Sequence, residues 1–138
     1  MLQQTQVATV VGYYQRFMQR FPTVEQLADA QIDDVLHHWT GLGYYARARN
    51  LHRAAKIIAE EYAGEMPSTQ EHLESLPGIG RSTAGAIRAL AMNQYASILD
   101  GNVKRVLTRF HGIDGYPGKT LIARELWRLA ETHTPRQD

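Results

Sequence analysis

The chain has 138 residues, of which 43% are hydrophobic, and its formal net charge is +1. This length is enough for one domain or slightly more, and the hydrophobic fraction is too high for a disordered segment. The lack of cysteine excludes disulfides and thiolate metal sites, and the low net charge confines any nucleic-acid contact to a local patch. Without a signal peptide or a membrane-spanning apolar run, we expect a soluble, cytoplasmic protein.

Apolar residues recur at spacings of three and four along nearly the whole chain, which predicts an all-helical protein. The first such pattern runs from Val7 to Phe21 and is stopped by Pro22. Thr23 with Gln26 predicts a capping box for a helix over residues 24–30. Further helices are predicted over residues 32–39, 44–63, 69–76, 81–92, 101–111 and 119–132.

Two details of these helices depend on single residues. Ser68 with Glu71 is interpreted as a capping box that opens the helix over 69–76. The buried side of the helix over 44–63 is predicted to contain Ala48, Leu51, Ala55, Ile58 and Tyr62. Its arginines, Arg47, Arg49 and Arg53, are assigned to a solvated face, with phosphate contact left open.

A short turn, Leu76-Pro77-Gly78-Ile79-Gly80, separates two of the predicted helices. Proline ends the first helix, and the two glycines allow positive φ and close approach of another backbone. Free N–H groups at the start of the next helix favour an anion. We therefore predict a helix-hairpin-helix over residues 69–92 that holds a DNA phosphate, an ordinary glycine-capped hairpin being the simpler alternative. Its predicted phosphate-binding residues are Gly78, Ile79, Gly80, Arg81, Ser82 and Thr83.

The hairpin segment resembles that of the endonuclease III superfamily of DNA glycosylases. Three further blocks, residues 1–7, 40–51 and 98–106, resemble the MutY family of A/G-specific adenine DNA glycosylases, so the resemblance covers essentially the whole chain. It implies an all-α helix-hairpin-helix glycosylase fold. Residues 1–95 would form most of a six-helix barrel, and residues 96–138 part of a second helical domain. The cleft between the two would receive a flipped adenine.

Asp100 by itself predicts a helix N-cap, because it precedes the helical pattern of residues 101–111. The resemblance implies that it is also catalytic. A carboxylate facing the deoxyribose C1′ would stabilise the oxocarbenium-like charge, or trap it covalently, as adenine leaves. Asn102 would orient this carboxylate or contact the backbone. Lys104 is assigned to phosphate contact, with plain solvated charge as the alternative.

The resemblance also implies how a flipped base is accommodated. Gln4 would fill the gap in the base stack, next to Gln3, while Leu2 lines the adenine pocket and Tyr44 reaches into the gap. Without the resemblance, Leu2 is equally well explained as core and the glutamines as a polar helix face. Ser82 is also assigned to the base pocket. It stands where bifunctional relatives carry a lysine that forms a Schiff base, so a monofunctional enzyme that uses water is expected.

The family pattern contains parts that this sequence lacks. Its general acid is a glutamate just ahead of the residue matching Met1, whereas the first carboxylate here is Glu25. Its 4Fe-4S iron–sulfur cluster needs four cysteines, and a further domain recognises 8-oxoguanine. The helical pattern starts almost at residue 1, so we expect a chain truncated at both ends, without cofactor or activity of its own. No metal is assigned to the histidines.

The implied function is base-excision DNA repair by hydrolysis of adenine mispaired with 8-oxoguanine or guanine in double-stranded DNA. The protein would act as a monomer, without a membrane, at the bacterial nucleoid. Two alternatives stay open. One is a pyrimidine-damage glycosylase and lyase of the endonuclease III type, against which Ser82 counts. The other is a non-catalytic DNA-binding fragment that uses only the hairpin.

Overall fold

The computed structural model describes residues 1–136, and within that range all regular structure is helical, as predicted. A π-helical turn, Ile87–Ala91, directly continues the sixth helix. No helix of the described part is long and apolar enough to cross a membrane. The α-helices are α1 (Val7–Arg20), α2 (Val24–Asp29), α3 (Ile32–Trp39), α4 (Tyr45–Glu61), α5 (Gln70–Glu74), α6 (Arg81–Ala86), α7 (Gly101–His111) and α8 (Thr120–His133).

The helix starts show which capping predictions were right. Thr23 accepts a hydrogen bond from the Gln26 N–H at 3.3 Å, which confirms the N-cap half of the predicted box. The box on Ser68 was wrong, because the hydroxyl of Thr69 accepts the His72 N–H at 3.2 Å and α5 begins one residue later than that box implies. Adjacent hydroxyl residues are equivalent in the sequence pattern. The N-cap is the hydroxyl residue with extended backbone whose side-chain oxygen reaches the N–H of the third following residue.

The chain divides into two compact units. The first contains residues 1–67 and 76–78, and the second contains residues 68–75 and 79–138, of which 137 and 138 lie outside the described part. Helices α1 to α4 therefore belong to the first unit and α5 to α8 to the second. These units follow different bounds from the predicted domains, 1–95 and 96–138, and that domain assignment stays a prediction.

Aromatic packing organises the core of the first unit. The Trp39 ring stands edge-on to Phe17 at 6.0 Å, and Phe17 packs against Phe21 at 4.9 Å. The Trp39 indole N–H donates to the Gly43 carbonyl at 3.1 Å, so its one polar group is satisfied. The buried residues of this core are Val10, Phe17, Phe21, Leu27, Ala28, Val35, Trp39, Leu42, Ala48 and Ala55.

The buried face of α4 differs from the prediction at Leu51 and at Tyr62, which is half-buried and caps the helix. Leu51 is 39% exposed, while His52 is buried and its Nε2 lies 2.8 Å from the Ala30 carbonyl oxygen. The buried stripe passes through Ala48, His52 and Ala55, so Leu51 lies to one side of it. A histidine whose ring nitrogen has a hydrogen-bond partner is compatible with the core. The residue type alone did not predict that His52 would be buried.

The second unit has a smaller core between α7 and α8. Its buried residues are Leu99, Leu107, Leu126, Leu129 and Ala130. Leu99 comes from the extended segment that precedes α7, so this segment is anchored by a buried side chain immediately before Asp100. The position of Asp100 is therefore fixed by packing as well as by its cap.

The corrected cap of α5 gives a direct test. Replacing Thr69 by alanine is expected to lower the free energy of unfolding by about 1 kcal/mol, because the His72 N–H loses its acceptor. The matched variant Ser68→Ala should change stability by less than about 0.5 kcal/mol. Urea unfolding followed by circular dichroism measures both, and a larger loss for Ser68→Ala would contradict the assignment.

Candidate active site and DNA interface

The two glycines of the hairpin turn differ in what they do. Gly78 has φ +78°, and a Cβ added there would lie 2.9 Å from the Cβ of Asn50. Gly80 has φ −94°, and an added Cβ would meet nothing within 4 Å. Gly78 is therefore required by the fold of the chain itself. The fold does not require a glycine at position 80. The absence of a side chain there leaves open space in front of the first turn of α6.

The first turn of α6 presents backbone N–H groups at this open space. Gly80 is the N-cap and has no side chain to satisfy them. The Ala84 N–H donates to the Gly80 carbonyl at 2.9 Å, which is the first bond of the helical ladder. The N–H groups of the preceding residues, Arg81, Ser82 and Thr83, are in the position that favours an anion. This is the backbone arrangement that the phosphate prediction requires.

The side chain of Arg81 is already engaged within the second unit. Its guanidinium lies 3.8 Å from the centroid of the Trp127 ring and 3.0 Å from a carboxylate oxygen of Glu131. A phosphate at the hairpin would therefore meet the backbone of Arg81 rather than its guanidinium. The predicted binding role of Arg81 stays a prediction, carried by its N–H group.

Asp100 is exposed, and one of its two carboxylate oxygens is occupied. Oδ1 accepts the Val103 N–H at 2.8 Å, which confirms the predicted N-cap of α7. The other oxygen remains as an acceptor for a ligand. The Oδ1 of Asn102 accepts from Arg105 at 2.6 Å, which leaves the amide NH₂ as the group that could donate to the carboxylate. The catalytic roles expected of Asp100 and Asn102 stay predictions.

Ser82 is linked to the backbone next to Asp100. Its Oγ accepts the Leu99 N–H at 3.1 Å, and the side chain of Leu99 is only 3% exposed. On the same helix, a Cβ on Gly85 would overlap the Ser97 carbonyl oxygen. The hairpin helix thus holds the segment that leads into Asp100. This link was missed from the sequence, where Ser82 was assigned only to the base pocket and the phosphate site.

A basic surface follows Asp100 along α7. Lys104, Arg105 and Arg109 line a shallow cavity of about 340 Å³, together with Thr108 and Pro117. Such a cluster supplies the local positive patch that a near-neutral chain needs in order to contact phosphates. The arrangement is consistent with the phosphate contact predicted for Lys104.

The candidate base-gap residues belong to the first unit and are all exposed. Leu2 and Tyr44 are each 58% exposed, so the alternative that Leu2 is ordinary core is wrong. Gln3 and Gln4 precede α1 in a turn rather than forming a helix face. Gln4 and Tyr44 have φ of +59° and +51°, in the left-handed region that residues with a Cβ rarely adopt.

The amino group of Met1 lies in the same region. Burial, and secondarily the guanidinium of Arg47, lowers the pKa of this amino group below its ordinary value. Arg47 itself donates to the carbonyl of Gln3 and, at 3.5 Å, to that of Met1. The interpretation of Arg47 as part of a solvated face was wrong, whereas Arg49 and Arg53 are exposed as predicted.

Fold and hairpin together define a helix-hairpin-helix protein. Residues 1–132 match the family model described as the HhH-GPD superfamily of base excision DNA repair proteins, and the chain belongs to this family. It is also similar to a solved structure described as a thermostable thymine-DNA glycosylase, with a TM-score of 0.85 and 27% identity, covering 98% of this chain and 62% of that one.

Two relatives are both named adenine DNA glycosylase. The protein from Buchnera aphidicola subsp. Acyrthosiphon pisum is 47% identical over 135 residues. The protein from Homo sapiens is 50% identical over 132 residues. These alignments cover 98% and 95% of this chain but only 39% and 24% of the relatives. The chain therefore spans well under half of the length of either relative.

The residues present do not fit the iron–sulfur cluster that the resemblance implies. The sequence contains no cysteine to ligate iron. Residues 1–136 also contain no group of three or more histidine, aspartate or glutamate side chains that could hold a metal ion.

The two hairpin glycines predict different phenotypes. Gly80→Val should weaken duplex DNA binding about tenfold or more, because the side chain fills the open space, and it should lower the free energy of unfolding by about 0.5–1 kcal/mol, because valine is a poorer N-cap than glycine. Gly78→Ala should lower stability by about 1 kcal/mol or more, since the φ of +78° is strained for alanine.

Fluorescence anisotropy with a labelled duplex, at several salt concentrations, measures the binding. The logarithm of the binding constant should fall with the logarithm of the salt concentration at a slope of roughly −0.9 per contacted phosphate. This slope should be smaller in magnitude for Gly80→Val. Gly12→Ala is the matched control, since its helical position in α1 has room for a methyl group. Equal binding by Gly80→Val and the parent would contradict the phosphate site.

Proposed function

We propose that this chain is part of the catalytic region of an adenine DNA glycosylase that acts in base-excision repair. The substrate would be adenine opposite 8-oxoguanine or guanine in double-stranded DNA. Support comes from the 47–50% identity to two proteins of that name over at least 95% of the chain. The observation that carries the proposal is the exposed Asp100 carboxylate, held by the hairpin helix through Ser82.

Asp100 would supply negative charge beneath the sugar. When the bond between C1′ and adenine breaks, its electron pair leaves with the base and C1′ becomes positive. The free carboxylate oxygen would stabilise this charge or bond to C1′, until the oxygen of a water molecule takes its place. A carboxylate already fixed by a cap and a buried neighbour needs little reorganisation during the reaction, which is the main source of electrostatic catalysis.

The departing adenine also needs a proton. The sequence has no carboxylate ahead of Glu25, and the resemblance assigns the acid to a glutamate that precedes residue 1. We infer that residues 1–138 hold the charge-stabilising half of the site and that the acid belongs to the longer protein. General acid catalysis contributes about 10²–10⁴-fold, so its loss alone would reduce turnover to a barely detectable level.

DNA would be held as a duplex by two kinds of contact. The backbone N–H groups at the start of α6 would bind one phosphate, and Lys104, Arg105 and Arg109 would bind others. Gln4 and Tyr44 would enter the gap left by the flipped adenine, and Leu2 would line its pocket, since all three are exposed. Monomeric action and a nucleoid location in a bacterial cytoplasm complete this proposal.

The chain itself is expected to release no measurable adenine from a duplex containing an 8-oxoguanine:adenine pair. A longer protein that joins residues 1–138 to the preceding glutamate and the following cysteine-containing segment should recover activity. In that longer protein Asp100→Asn should abolish release but retain DNA binding, because asparagine keeps an oxygen for the Val103 N–H. Denaturing gels after alkali treatment measure the release.

The matched control in the longer protein is Asp114→Asn, which removes a carboxylate from the loop between α7 and α8. It should retain activity. Family-like turnover by the 138-residue chain would show that the acid lies within it and contradict the proposed division of the site. DNA binding without release by the longer protein would favour the non-catalytic alternative.

Ser82 gives an independent test that does not require base release. Ser82→Lys should form a borohydride-trappable Schiff base with a preformed abasic site, because an amine would replace the hydroxyl. Lysine cannot accept the Leu99 N–H, so the free energy of unfolding should also fall by about 1–3 kcal/mol. Ser82→Arg is the control, with charge but no nucleophilic amine. Strong cleavage of abasic DNA by the parent would contradict a monofunctional enzyme.

A further inference from the structure

Arg47 is the least expected arginine of the chain. It lies in the first turn of α4, where its side chain is half-buried, and within residues 1–136 its Nε and Nη2 are buried without a hydrogen-bond partner. Its Nη1 donates to the carbonyl oxygens of Gln3 and Met1. A buried N–H that lacks a partner is destabilising, so stability alone does not explain an arginine here.

The same side chain contacts a second segment of the first unit. Its guanidinium carbon lies 4.7 Å from the centroid of the Tyr44 ring, and its backbone N–H donates to the Tyr44 carbonyl at 2.9 Å. One residue therefore joins the turn over residues 1–5 to the turn that precedes α4. These are the two segments that carry the candidate base-gap residues.

Both segments contain a residue in an unfavourable conformation. Gln4 and Tyr44 have positive φ although neither is glycine. Such conformations persist only where the surrounding structure determines them, and they are common at functional sites. Arg47 contacts Tyr44 itself and the residue immediately before Gln4. Its contacts are thus placed where the strained backbone needs support.

We propose that Arg47 is a positioning residue that holds Gln4 and Tyr44 in the conformation in which they enter the gap of a duplex. This inference rests on the proposed function, because the gap exists only if a base is flipped. The carbonyl contacts fix the backbone of residues 1–4, and the guanidinium fixes the plane of the Tyr44 ring by cation–π contact. Ordering both segments before binding lowers the entropy lost on insertion into DNA.

The first experiment tests the contact in the free 138-residue chain. Hydrogen–deuterium exchange, read by mass spectrometry, should be about tenfold faster or more over residues 1–6 and 41–46 in Arg47→Met than in the parent. Exchange elsewhere and the urea unfolding midpoint should be unchanged. Arg16→Met is the matched control, because Arg16 also lies over a tyrosine ring, Tyr13 at 4.9 Å, but is exposed.

The second experiment tests what the contact does on DNA. The probe is a duplex with 2-aminopurine opposite 8-oxoguanine, whose fluorescence rises when 2-aminopurine leaves the stack. At saturating protein the parent and Arg16→Met should give the full rise. Arg47→Met should lose most of it, while its affinity for the duplex falls by less than about tenfold because the hairpin contacts are intact. Arg47→Lys, which keeps the charge and one set of donors, should recover part of the signal.

The outcomes separate the two proposals. Unchanged exchange over residues 1–6 in Arg47→Met overturns the positioning role, and so does a large fall in its unfolding midpoint, which would identify a structural residue. Changed exchange with a full fluorescence rise also overturns it and leaves the proposed function intact. If the parent binds the duplex without any rise, the proposed function fails and the role of Arg47 in insertion fails with it.

Discussion

The close approach of the extended segment over residues 97–99 to the hairpin helix is the constraint on which the second unit depends. It is possible only because residue 85 is glycine, since any Cβ there would overlap the Ser97 carbonyl oxygen. At this separation the Ser82 hydroxyl reaches the Leu99 N–H. The helix that presents free N–H groups at its start therefore also sets the position of the residue before Asp100. The predicted phosphate contact and the placement of the Asp100 carboxylate therefore depend on one helix.

This arrangement is compatible with the proposed second role of the capping Asp100 as a reactive group. A capping aspartate uses one carboxylate oxygen, and in Asp100 that oxygen is tied to Val103. The bond restrains the orientation of the carboxylate, and the residue as a whole is exposed. A cap on a buried element would have no such use, and a free aspartate would have no fixed orientation. The combination needs an exposed carboxylate whose backbone is anchored by a packed neighbour. The buried side chain of Leu99 provides this anchor.

Local chemistry was sufficient to predict the helices and most of their ends. Pro22, the turn over residues 76–80 and the cap at Asp100 all act through neighbours in the sequence, and each was found where expected. The errors occurred where distant residues decide. His52 is buried because the Ala30 carbonyl meets its ring, and Arg47 is half-buried because residues 1–3 cover it. No periodicity in α4 distinguishes Arg47 from the exposed Arg49 and Arg53.

Non-glycine residues with positive φ mark places where the backbone departs from its preferred conformation. Some of these residues end helices, and the others need a different explanation. Of the four non-glycine residues with positive φ in the described part, Ala63 and Asn93 follow helices, where left-handed residues are common. Gln4 and Tyr44 precede helices, where no such rule applies. Both side chains are exposed, so neither conformation is compensated by burial. Strain without burial, beside an arginine with unmet donors, is costly for a free protein and is explained if these side chains meet a ligand.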